Sequence, residues 1–478
     1  MEQIVQLKPL IRYDFFRSYH VLVVGLVLFS LLCGIGLWLF PPLLVFAITN
    51  LLVLCVLMIC YPYLGILVYL VVEYARVPEM FPLLQTLQIG KIVVLVTGLI
   101  WLGRSVSARK LKSVSDPLNW IMVIWALIVI ASSFFAMNSK LANQGVIDFL
   151  KWVLIYFLII NLVDTLPKWQ GFMWVLLFLN FKMSQFQIRQ FLAGYAIAPS
   201  PELFIVRGIG AGSTGFFSNA GDFGVAMCVV APLAFYLIKA VKSKVLKVGG
   251  MIFFFGFVFS ILKCGSRGAP LALLVMTFFF WLKSSKKFQN GILILLFVIG
   301  SWASAPEAWK GRFVSATDYQ QDSTASQRVR LWEAGLKMSI DNPLLGVGIN
   351  NFSTNYATRY HAKDEAGILW APHNIFIQAG SELGVLGLLS LVLAMFLVFK
   401  RNHETRRLCR QNSLKKDWIS DFACALDLGL IGYIVSGSFL TVLYYPHLYI
   451  IMVLAISLNQ IAKKQIIAEK NLIKDDKK

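Results

Sequence analysis

From His20 to Ala462 the sequence is a series of apolar runs, most of them near the length that crosses a bilayer, joined by short polar segments. A helix needs about 20 apolar residues to cross the hydrocarbon core. Backbone placed in lipid must satisfy its own hydrogen bonds, so such runs become helices. They lie near His20–Phe40, Leu43–Ile59, Leu64–Val77, Ile89–Leu102, Pro117–Ala136, Ile147–Leu162 and Trp169–Lys182. Further runs lie near Asp222–Ile238, Val248–Lys263, Ala269–Leu282, Phe288–Ala305, His373–Phe399, Asp421–Leu440 and Leu448–Ala462. The pattern predicts an all-α, polytopic integral membrane protein with about 12–14 transmembrane helices. The short early runs and the CYPYLG bend at Cys60–Gly65 set the lower bound. Only 14% of the residues are charged and 58% are hydrophobic, against roughly a quarter charged in soluble domains. A water-soluble fold is excluded.

The net charge of +20 raises the question of nucleic acid, and its placement answers it. Basic residues cluster between apolar runs, in RSVSARKLK (Arg104–Lys112), KAVKSKVLK (Lys239–Lys247), KSSKK (Lys283–Lys287), KRNHETRRLCRQNSLKK (Lys400–Lys416) and the lysine-rich tail. This is the positive-inside pattern, not a nucleic-acid-binding face. Threading the runs puts these clusters and both termini on the cytoplasmic side. The opposite side receives two long loops, one near Met183–Gly221 and a larger one near Pro306–Pro372. The expected organisation is an N-terminal bundle over 1–305 that includes the outer loop 183–221, a large loop over 306–372, C-terminal helices over 373–462 and a basic tail over 463–478. No cleavable leader is read at the N-terminus. The seven cysteines are scattered, without a CxxC, and read as small apolar filler, not as a disulfide or zinc framework.

The larger loop carries a helix signal. STASQRVRLWEAGLKMSIDNP begins with capping residues and ends at Asn342-Pro343. Val329, Trp332, Leu336 and Ile340 form a stripe expected to pack on the membrane helices, with Arg328 and Glu333 on flanking faces.

Arg76, Lys91, Lys151, Arg207, Lys263 and Arg267 break the charge rule, because they map to outer ends of runs or the loops joining them. Ionisable groups at membrane depth point to function, although long basic side chains also snorkel to headgroups; for Lys91 and Lys151 both readings stand. Arg207 sits in VRGIGAGSTGFFSNAGD, where small residues let backbone approach a ligand. Arg267 lies in KCGSRGAPL between two apolar runs. Two guanidiniums near the outer leaflet suit a phosphate or diphosphate, since each presents a planar fork of donors. An arginine–carboxylate pair with Asp222 or Glu382 is the competing arrangement. His373 follows Ala371-Pro372 at the mouth of an apolar run, beside Asn374, which can cap or orient. The positive end of a helix there favours neutral imidazole, the form a general base needs. The remaining histidines, His20, His361, His403 and His447, sit in boundaries, loops and a turn without such partners.

STASQRVRLWEAGLKMSIDNPLLGVGINNF followed by PHNIFIQAGSELGVLGLL resembles the O-antigen ligase and O-antigen polymerase superfamily of bacterial envelope membrane proteins. FFSNAGDFG and SRGAPLALLV upstream are similar to segments of the same family, so the resemblance covers about Arg207 to Phe399. It implies a helical fold of the lipid-linked-sugar glycosyltransferase (GT-C-like) kind with a large helical periplasmic loop. It also implies a multi-pass protein of the bacterial inner membrane with a periplasmic active site and no metal or other cofactor. The implied donor is a glycan on undecaprenyl diphosphate. The acceptor is lipid A-core, another glycan or a protein. The family's functional arginines and histidine carry over onto Arg207, Arg267 and His373, with Arg328 and Arg330 as further loop candidates. Ligase and polymerase share a donor site, and the motif run leans to the ligase. A lipid-linked-sugar transporter would call for paired broken helices and internal repeats, which the sequence does not display.

Overall fold

The computed structural model describes residues 42–75, 88–107, 114–192, 220–303, 323–362, 365–412 and 418–475. Regular structure among them is helical throughout. In chain order the helices are α1 (Pro42–Cys60), α2 (Pro62–Tyr74), α3 (Ile89–Ser107), α4 (Pro117–Ser133), α5 (Ser139–Leu162), α6 (Leu166–Gln190), α7 (Ala220–Ala240) and α8 (Lys244–Lys263). Then follow α9 (Gly268–Lys283), α10 (Lys287–Ala303), α11 (Ser323–Asp341), the one-turn α12 (Phe352–Asn355), α13 (Ile375–Gln411), α14 (Trp418–Gly437) and α15 (Pro446–Asp475). Each expected run from Leu43 onward falls on one of these helices; His20–Phe40 lies outside the described residues. Of these, α3, α5, α7, α8, α13, α14 and α15 are long and apolar enough to cross a membrane, and α2, α4, α9 and α10 are shorter apolar helices. The chain is a multi-pass membrane protein.

The chain divides into two compact units, residues 1–64 and 65–478. The first contains α1 and the opening turn of α2. The second contains everything else and all that follows here. Its long α3 to α10 alternate in direction, so Arg104 and the clusters at 239–247 and 283–287 fall on one face, the basic face. Exposed side chains along their lengths, such as Leu95, Leu99, Phe255, Leu293 and Leu296, are what a lipid-facing surface requires.

The run Lys400–Lys416 was expected to be a loop. Up to Gln411 it is instead the last part of α13, because several of its charges find partners on neighbouring helices, two of them buried. Arg401 pairs with Asp116 at 2.6 Å, and Asp116 also caps α4 by accepting from the Leu118 N–H. Glu404 pairs with Lys463 of α15 at 3.2 Å. Arg406 pairs with Asp427 of α14, which also accepts from Asn402 at 2.9 Å. The outer loop expected from Met183 likewise starts later, since α6 runs on to Gln190.

At the opposite face, the loop face, α13 is not continuous. Gly384 has φ +68 within it, and the turn 342–348 is laid against that break. Val385 N–H donates to the Pro343 carbonyl at 2.7 Å, Val347 N–H to Ser381 at 2.8 Å and Gly348 N–H to Glu382 at 3.1 Å. These bonds satisfy backbone groups that the break would otherwise leave bare, as irregular backbone inside a membrane protein requires. The approach is close on both sides. A Cβ on Gly384 would lie 2.4 Å from the Leu344 carbonyl, and one on Gly346 2.5 Å from the Ser381 oxygen.

The loop helix α11 spans the expected residues, but of the expected stripe only Trp332 faces inwards, half-buried with its Nε1 on the Pro372 carbonyl. Leu331, Ala334 and Met338 are buried with Val347, Phe352 and Tyr356, whereas Val329, Leu336 and Ile340 are exposed. Small residues decide this orientation. Gly335 meets α13 so closely that a Cβ there would lie 2.3 Å from Ile377, and the larger side chains of the expected stripe could not enter that space.

Candidate functional site

The site is built where the start of α13, the loop helix α11, the start of α9 and the turn between α14 and α15 meet at the loop face. Asn374 caps α13, its Oδ1 accepting from the Phe376 and Ile377 N–H groups at 2.8 and 3.3 Å. That fixes where the helix begins and so where His373 stands. His373 has φ +46, in the left-handed region that a side chain other than glycine occupies only at a cost of about 1–3 kcal/mol. Two contacts hold it there. Its N–H donates to Thr441 Oγ1 at 3.0 Å, and the carbonyl of the preceding Pro372 accepts from Trp332 Nε1 of α11 at 3.1 Å.

The imidazole Nδ1 is buried and makes no hydrogen bond within the protein. Burial pushes the ring's pKa down from the usual 6.5 to about 4, and the positive charge of Arg328 pushes the same way. The neutral ring expected from a helix terminus is therefore present, but burial is the main cause, and the loop helix supplies the charge.

Arg267 is the N-cap residue of α9. The next residue, Gly268, would with a Cβ meet Phe439 at 3.3 Å and the Ser436 carbonyl at 3.5 Å, while a Cβ on Gly437 would meet Ile375 at 3.1 Å. The segment Ser436–Thr441 thus lies between Arg267 on one side and His373 on the other. Arg207 lies outside the described residues.

Two other expected cations are differently engaged. Lys151 pairs with Glu73 of α2 at 3.4 Å and sits over the Trp152 ring. Lys91 lies 3.9 Å from Asp148. Both lysines thus have a carboxylate neighbour, an arrangement beyond the snorkelling and ligand readings of the sequence. Arg330 is likewise paired, with Glu365 at 2.9 Å; Glu365 also accepts from the Tyr356 hydroxyl, and these two contacts hold its carboxyl below the usual range. Of the two loop candidates, Arg328 is the one whose charge acts on His373.

The turn between α14 and α15 organises the site, although none of its residues is among the candidates that the sequence offers. Thr441 holds His373. The Leu443 N–H donates to Gln378 Oε1 at 3.1 Å, and the Tyr444 hydroxyl to Glu382 Oε2 at 2.8 Å. Tyr445 donates to Asp222 in the first turn of α7 at 2.9 Å. Glu382 is buried and also accepts from the Phe352 N–H at 3.3 Å. It therefore ties α13 both to this turn and to α12 of the large loop. A signal was present in the sequence: paired tyrosines in LTVLYYPH, at a turn joining two apolar helices, need polar partners.

Residues 251–392 match the family model described as O-antigen ligase. The matched stretch runs from α8 past the break at Gly384 and holds Arg267, Arg328, His373 and Glu382, while the organising turn lies beyond it. No curated protein matches the chain.

Proposed function

From the O-antigen ligase domain that residues 251–392 make, we propose that this protein transfers a glycan from undecaprenyl diphosphate to an acceptor hydroxyl on the periplasmic side of the bacterial inner membrane. The observation that carries the reading is His373. Its half-buried imidazole is held neutral, with an enclosed ring nitrogen that makes no hydrogen bond, next to one arginine and across a shared segment from another.

His373 accepts the proton of the acceptor hydroxyl, whose oxygen forms the new bond to the anomeric carbon. The bond from that carbon to the diphosphate oxygen breaks, and its electron pair leaves with the diphosphate. Arg267, Arg207 and Arg328 offset the charge that grows there. Diphosphate is a good leaving group, so positioning and electrostatic stabilisation supply most of the acceleration. Attack opposite the leaving group inverts the anomeric centre. A base with a pKa of about 4 is weak at neutral pH, but a diphosphate beside the ring favours the imidazolium and raises it. The helix of the large loop contributes Arg328 and covers the acceptor side, which excludes competing water.

The test uses purified protein with undecaprenyl diphosphate-linked glycan and either lipid A-core or more lipid-linked glycan, with products sized. Transfer to lipid A-core is expected; lengthened lipid-linked glycan alone identifies a polymerase instead, and no product with either acceptor removes the reading. His373→Ala should abolish transfer while leaving membrane insertion intact. Arg267→Lys should do the same, since an ammonium cannot reproduce the guanidinium fork. The step is assigned no metal, so transfer should persist in EDTA.

A further inference from the structure

The stripe on α11 that turns away from the protein changes character along its length. Val329, Glu333, Leu336 and Ile340 recur at helical spacing on one exposed side, and exposed Leu344 follows in the next turn. Ile340 and Leu344 are 75% and 65% exposed. Glu333 follows Val329 as the one polar member, Leu336, Ile340 and Leu344 after it are apolar, and the exposed Lys337 and Asp341 flank them.

The end of the stripe can be placed in depth. Leu344 lies against Gly384, and sixteen residues of helix separate Gly384 from Lys400 (400 − 384), the first residue of the basic cluster. At about 1.5 Å per residue that is about 24 Å, less than the hydrocarbon thickness of about 30 Å. Exposed Val385 and Leu386 adjoin the break and begin the lipid-facing run Leu389, Val392, Leu393 and Phe396, so the apolar end of the loop continues that surface without interruption. A second helix agrees. The exposed face of α4, Ile124 and Leu127, continues past the helix end into exposed Phe134 and Phe135, and the adjoining Ala136 packs against Gly348 of the same turn, 2.7 Å from where its Cβ would be.

We propose that the second half of α11 and the turn 342–348 are seated in the outer leaflet, with Leu336, Ile340 and Leu344 against acyl chains and Glu333 at headgroup level. The large loop is then a slanted, partly embedded element and not a freely solvated cover, and its occupant on this side is lipid. The proposal rests on depth and exposure alone and holds whatever the protein transfers.

The test places a nitroxide at positions 333, 336, 340, 344 and 389, one at a time, through an introduced keto amino acid that leaves the native cysteines in place. The full chain is held in lipid nanodiscs, and collisions with oxygen and with a water-soluble nickel chelate are measured. Nickel accessibility should be high at 333 and lost by 340 and 344, where oxygen accessibility should match that at 389 on the lipid face of α13. Nickel access at 340 and 344 equal to that at 333 overturns the proposal. An immobile probe there that neither reagent reaches also overturns it, because that reports a protein partner or a second copy.

Discussion

His373, the residue on which the proposed chemistry rests, is strained and half-buried, with its Nδ1 fully enclosed. Its titration gives a test independent of substrate. The folded ring is lowered to about 4 while the unfolded ring titrates near 6.5. Between these values the unfolded chain binds a proton that the folded chain refuses, so stability rises with pH across this window and is lost as pH falls from 6.5 towards 4. In His373→Asn that acid sensitivity should be smaller, read as a flatter dependence of melting temperature on pH in detergent. Arg328→Gln removes a charge that opposes protonation, and the imidazole pKa followed by NMR should move up towards 6.5. No movement would show that Arg328 acts elsewhere. The residue was legible in the sequence because a histidine stands out at the mouth of an apolar run. Its partners were not, since Thr441 and Arg328 are 68 and 45 positions away in the chain (441 − 373; 373 − 328) and only packing brings them close.

At the scale of elements, apolar length foretold the helices well, because a bilayer imposes a length that can be counted. What it could not foretell was orientation and interruption. The loop helix was assigned its inner face from one apolar stripe, but close packing at Gly335 on α13 selects Leu331, Ala334 and Met338 instead, and Val329, Leu336 and Ile340 face outwards. The break at Gly384 was equally hidden, as ELGVLGLL reads as uninterrupted helix until the partner turn is seen. Gly384→Ala should be costly. At φ +68 and ψ −167, a region kept almost entirely to glycine, a side chain costs about 1–3 kcal/mol, and forcing a methyl towards the Leu344 carbonyl adds about 1–3 kcal/mol. Thermal unfolding in detergent should show a clear loss of stability. An unchanged melting temperature would mean that the turn does not press on the helix. Among the described residues one helix, α13, is broken at Gly384, whereas a transporter calls for a paired arrangement.

At the scale of the whole molecule, the two faces are held by different means. The loop face relies on hydroxyl and amide contacts around one turn, and the basic face on buried ion pairs. Asp116 is 4% exposed, and it both caps α4 and pairs with Arg401. Asp116→Ala leaves a buried guanidinium short of its partner, which typically costs about 3–5 kcal/mol. Retention of Glu404 beside Arg401 puts the expected loss at the lower end, about 3 kcal/mol, measurable as reduced thermal stability with the loop-face contacts unchanged. The turn at 438–446 sets a limit of another kind. It lies outside the stretch that carries the family's likeness, yet its hydroxyl and amide groups grip the histidine, the buried glutamate and the first turn of α7. A chimaera that transplants only residues 251–392 into a distant relative would strand the imidazole without its clamp. Donor and recipient have to exchange the closing hairpin of α14 and α15 as well, so these two segments are expected to change together as sequences diverge.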